Sequence, residues 1–110
     1  MGLFQIIKRR WTSRTTLPQI ADEIGDRCLE SVWQRVQHQV AKLAPAEARG
    51  YIRARGIAVV EPQLAWAAEQ HEVLEHLRPH LYALAVESLI RRVQDRARNR
   101  AGQRHLRRVA

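Results

Sequence analysis

The segment 17–43, "LPQIADEIGDRCLESVWQRVQHQVAKL", decides the fold. Leu17, Ile20, Ile24, Cys28, Val32, Val36, Val40 and Leu43 recur at spacings of three and four. That period lays apolar side chains along one side of an α-helix. Thr16, just before the segment, suits the cap position, and Gln19 three residues on completes a capping box. Pro18 falls in the first turn, where backbone N–H groups have no intrahelical partner. Glu23 and Arg27 form an i,i+4 pair of favourable polarity. Ala44 precedes Pro45 and is driven out of the helical region, which ends the element. The segment therefore predicts one rod of about 27 residues, on the order of 40 Å long at 1.5 Å per residue.

A competing reading rests on Ile20, Ala21, Ile24 and Gly25. "IADEIG" resembles the opening of the helix-turn-helix of bacterial repressors, in which the glycine makes the turn. That resemblance implies a recognition helix within 16–36 and DNA as the ligand. The second half departs from the family pattern: Asp26, Ser31 and Gln34 stand where it places apolar residues. A continuous helix costs one interior glycine, about 1 kcal/mol against alanine, and keeps the whole stripe on one side. The long helix is the preferred reading, and a degenerate helix-turn-helix is the weaker alternative.

Pro45, Pro62 and Pro79 are evenly spaced, but the segments behind them show no repeat. Between Pro45 and Glu61, Gly50, Gly56 and "IAVV" argue against a helix. No second strand candidate exists to pair with it, while Ala48, Ile52, Val59 and Val60 share a helical side. A shorter second helix is expected there. From Pro62 onward Trp66, Ala67, Val73, Leu74, Leu77, Leu81, Leu84 and Ala85 form one stripe running in phase through Pro79. Residues 63–101 are thus expected as one helix kinked at Pro79, or as two. Glu87 and Arg91 are placed to pair, and Gly102 to stop the helix.

The net charge of +8 is unevenly distributed. Residues 1–21 carry four bases and no acid, and residues 91–110 carry eight arginines against Asp95. The stretch between has seven bases and ten acids. Basic ends attract polyanions or anionic surfaces. Arg9, Arg10, Arg14, Arg91, Arg92, Arg96, Arg98, Arg100, Arg104, Arg107 and Arg108 are the candidate nucleic-acid contacts. On a helix, Arg92, Arg96 and Arg100 align at i,i+4 and can track a phosphate backbone without base specificity. No aromatic residue follows Tyr82 to support base stacking.

Catalytic and metal motifs do not form. "EQHEVLEHLRPH" misses the zincin pattern because Glu75 stands at the second histidine, and Glu69, Glu72, His76 and His80 fall on the solvent side of its helix. Cys28 lies on the apolar stripe as a small core filler, and as a lone cysteine it forms no intramolecular disulfide. No cofactor, metal or catalytic residue is expected. The opening "MGLFQIIKRRW" has its cations after its apolar residues, the reverse of a secretory signal, and Ile6 breaks a myristoylation pattern. Docking on the bundle or a partner subunit is favoured for it over a membrane surface.

The sequence predicts an all-α, antiparallel bundle of three or four helices with a long first helix. It divides into a basic amphipathic segment (1–15), a helical domain (16–101) and an arginine-rich tail (102–110). The function expected is that of a non-enzymatic interaction or scaffold protein of the bacterial cytoplasm, acting as a homodimer or larger homo-oligomer. Another protein is the second partner this reading allows. The alternative function is non-specific nucleic-acid binding by the arginine-rich termini.

Overall fold

The structure, a computed structural model, describes residues 15–109, with side chains to residue 103. It contains α1 (Leu17–Val40), α2 (Pro45–Gln70) and α3 (Arg78–Val109), with a 3-10 turn at Glu75–Leu77. Each helix packs on the other two, giving an up-down-up, all-α bundle of 59 × 29 × 18 Å. Neighbours in sequence are antiparallel, so α1 and α3 run parallel and meet directly.

α1 starts at the expected box. The Gln19 amide N–H donates to Thr16 Oγ1 at 3.4 Å, and the Thr16 N–H donates to Gln19 Oε1 at 2.9 Å. The helix continues unbroken through Gly25 to Val40, so the helix-turn-helix alternative falls. Ile20, Ile24, Cys28, Val32, Val36 and Val40 are buried, and Leu17 and Leu43 half-buried. Each such side chain contributes on the order of 1.5–3 kcal/mol if fully buried. Two short turns, Lys42 N–H to Gln39 O and Leu43 N–H to Val40 O, close the end before Pro45.

α2 corrects the sequence reading. It begins at Pro45, buries Ala48, Ile52 and Val60, and passes straight through Pro62 to Gln70. The boundary expected at Pro62 is not there. The break lies instead at His71–Leu74. The Val73 N–H donates to Ala68 O at 2.9 Å and the Glu72 N–H to Glu69 O at 3.3 Å. Those are the two bonds of a Schellman stop, with Glu72 at φ 50° in the position usually given to glycine. Residues 63–101 are therefore not one helix kinked at Pro79. Pro79 is the second residue of α3, in the first turn, where no N–H is required.

Three further expectations fail. The break rotates the stripe, so Trp66 and Leu74 are 38% and 61% exposed rather than buried. Leu81, Ala85, Leu89, Ile90 and Val93 of α3 take over the core. Gly102 does not stop α3, which runs on to Val109. Glu87 pairs across the bundle with Arg49 at 2.7 Å rather than with Arg91.

Candidate interaction surface

α1 and α3 approach closely at Gly25. A Cβ on Gly25 would lie 2.5 Å from Ser88 Oγ and 3.2 Å from the Leu89 amide nitrogen. On the other flank, a Cβ on Gly56 would lie 2.9 Å from Leu89 Cδ2. Two glycines thus let α3 settle between its neighbours. Ser88, 2% exposed, donates to Asp22 Oδ1 at 2.9 Å and accepts from Arg92 Nε at 3.2 Å.

From this point an ion-pair ladder follows the seam. Arg91 and Arg92 reach Asp22 and Asp26 at 3.3 Å, and Arg96 holds both oxygens of Glu30 at 3.0 and 3.1 Å. One rung further Arg100 meets only an amide, donating to Gln37 Oε1 at 2.7 Å. Arg96 and Arg100 lie 5.7 and 5.9 Å from the Trp33 ring centroid, within cation–π range. Leu29, Trp33, Arg92, Asp95, Arg96, Asn99, Arg100 and Gln103 line an open groove of about 500 Å³ along this seam.

The structure thereby divides the candidate arginines. Arg91, Arg92 and Arg96 are paired with α1, and Arg98 with Asp95 within α3. Arg100 has no acidic partner among the described residues. Arg104, Arg107 and Arg108 continue on the α3 backbone, beyond the described side chains. Arg9, Arg10 and Arg14, with the whole segment 1–14 expected to dock or touch a membrane, lie outside the described residues.

The topology also sorts charge in a way the linear order does not. The second halves of α1 and α3 share an end of the bundle with the first half of α2. That end, residues 29–57 and 94–103, holds eight basic and three acidic side chains. The opposite end, 15–28 and 58–93, holds four basic and eight acidic. At the basic end Arg49, Arg96 and Arg98 are in ion pairs. Arg35, Lys42, Arg53, Arg55 and Arg100 have none among the described residues. Arg55 lies 5.3 Å from the Tyr51 ring centroid.

Reactive side chains are held in packing roles. Cys28 is fully buried, its Sγ 3.7 Å from Val59 O, and burial pushes its thiol up to about 11. A thiol so shifted is a poor nucleophile. His71, distant in sequence from α1, donates from Nε2 to Glu23 Oε2 at 3.2 Å, while its buried Nδ1 has no partner among the described residues. Glu23 also pairs with Arg27, whose guanidinium lies 3.9 Å from the Trp66 ring centroid. The Glu23–Arg27 pair was legible by spacing; the His71 link was not. Glu69, Glu72, His76 and His80 are exposed as expected. Among the described residues no three His, Cys, Asp or Glu side chains cluster to hold a metal, and no helix is long and apolar enough to cross a membrane.

No protein-family model, curated protein or solved structure matches this chain.

Proposed function

We propose that this chain is a non-enzymatic helical interaction protein of the bacterial cytoplasm that works as a homo-oligomer. One observation carries the reading. Trp66 and Leu74 are the exposed large hydrophobic side chains among the described residues, and both belong to the same end of the bundle. A second copy covering that end removes both from water, at roughly 25 cal/mol for each Å² of apolar surface. A two-fold pair is the commonest closed arrangement for such a patch. The buried, poorly ionised Cys28 supports a packing role for the thiol and suits a reducing compartment.

Sedimentation equilibrium at micromolar concentration tests the reading. Self-association is expected, with a shift toward monomer in a Trp66→Gln/Leu74→Ser double variant. A monomeric wild type counts against the oligomer.

A further inference from the structure

We propose that the basic end of the bundle is a contact surface for the phosphate backbone of a nucleic acid. The inference deepens the interaction reading above by naming a partner for the end opposite Trp66 and Leu74.

Three observations carry it. First, the fold collects the charge. Arg35 and Lys42 follow α1's last acid, Glu30, and up-down-up packing brings them to the same end as Arg53, Arg55 and Arg100. Second, none of these five cations has an acidic partner among the described residues. The seam acids Asp22, Asp26 and Glu30 neutralise Arg91, Arg92 and Arg96, but α1 has no acid after Glu30. The ladder therefore runs out of carboxylates at Arg100, which takes the Gln37 amide instead.

Third, α3 does not end there. Arg100, Arg104 and Arg108 occur every fourth residue on one continuous helix, rising about 6 Å per step. A regular row of fixed charges meets a polymer of phosphates repeatedly, whereas an isolated carboxylate cluster on a protein meets it once. Four of the five cations are arginine, whose planar fork suits phosphate oxygens. The opposite end, with eight acids against four bases, repels the same polymer. Binding is therefore oriented, basic end first, and independent of base sequence.

The test uses the full chain with a fluorescent 20–30-base-pair duplex and a single-stranded RNA of similar length, titrated from about 50 to 200 mM salt. Affinity for the duplex should fall steeply over that range. An Arg35→Gln/Arg53→Gln/Arg55→Gln/Arg100→Gln variant should bind at least tenfold more weakly at about 50 mM salt. Its log K against log salt slope should be smaller by at least about two, since each lost duplex contact removes about 0.9. The corresponding lysine variant should keep most of the affinity, and circular dichroism should show both variants helical.

A Glu61→Gln/Glu69→Gln/Glu75→Gln variant, at the other end, should bind no more weakly than wild type. No wild-type shift of either probe at about 50 mM salt overturns the proposal. So does a quadruple glutamine variant with wild-type affinity and slope. If either occurs while Trp66→Gln/Leu74→Ser still disrupts an oligomer, the interaction reading stands and only the nucleic-acid partner is lost.

Discussion

Ser88 Oγ occupies the space that a side chain on Gly25 would need, 2.5 Å from the position of its Cβ. The clash is with a buried serine and a backbone amide, neither of which can swing aside. Gly25→Ala should therefore destabilise by about 1–3 kcal/mol, although alanine is the better helix former by about 1 kcal/mol. Gly50, in α2 with nothing within 4 Å of its Cβ position, is the control. Gly50→Ala should stabilise by up to about 1 kcal/mol. Urea midpoints of the two variants should move in opposite directions.

Pro62 sits exposed in the interior of α2. It supplies no N–H to the ladder of that helix, and proline lies about 3 kcal/mol below alanine in helix propensity. Replacement also frees the unfolded chain, which returns part of that difference. Pro62→Ala should raise stability by about 1–2 kcal/mol. An unchanged or lowered urea midpoint would show that the proline ring is packed to advantage.

The seam ion pairs are exposed on at least one side: Arg96 and Glu30 retain 36% and 70% of their side-chain surface. Such pairs give about 0–1 kcal/mol. A double-mutant cycle with Glu30→Gln and Arg96→Gln should return a coupling energy below about 1 kcal/mol that shrinks with added salt. A coupling of several kcal/mol would mean that the pair is far drier than its exposure indicates.

Cys28 links stability to pH. Burial pushes its thiol from the ordinary 9.0 up to about 11, so the folded state holds the proton more tightly. Stability from this group is complete below pH 9, and is lost as pH rises from 9 toward 11, where the unfolded chain ionises first. Wild type should lose stability over this window more steeply than Cys28→Ala. Thiol labelling at pH 8 should be slow in the native protein and fast in denaturant.

The parts of the fold that were legible in sequence are those with local causes. The stripe from Ile20 to Val40 and the Thr16–Gln19 box need only neighbours three and four residues away. The α2–α3 break was missed because its stop is made by Glu72 at positive φ, without the glycine that usually marks one, while Pro62 marked a boundary that does not exist and Pro79, in the first turn of α3, stands some residues after the true stop. The surface was half legible. The arginines were visible, but Asp26 and Glu30 neutralise Arg92 and Arg96 from 66 positions away, a relation only the tertiary fold creates. The cations Arg35, Lys42, Arg53 and Arg55 lay in the stretch read as acidic, and carried no local signal.

The periodicity of the α1–α3 seam has a consequence for alignment. Acids recur every fourth residue on α1 and arginines every fourth on α3, so a one-turn slide still sets guanidinium against carboxylate: Arg92 to Asp22, Arg96 to Asp26, Arg100 to Glu30. Charge matching alone is degenerate between these registers. The slide also brings Arg92 to the notch at Gly25, where only a residue as small as Ser88 fits. Steric shape at this glycine separates two registers that the more conspicuous ladder does not.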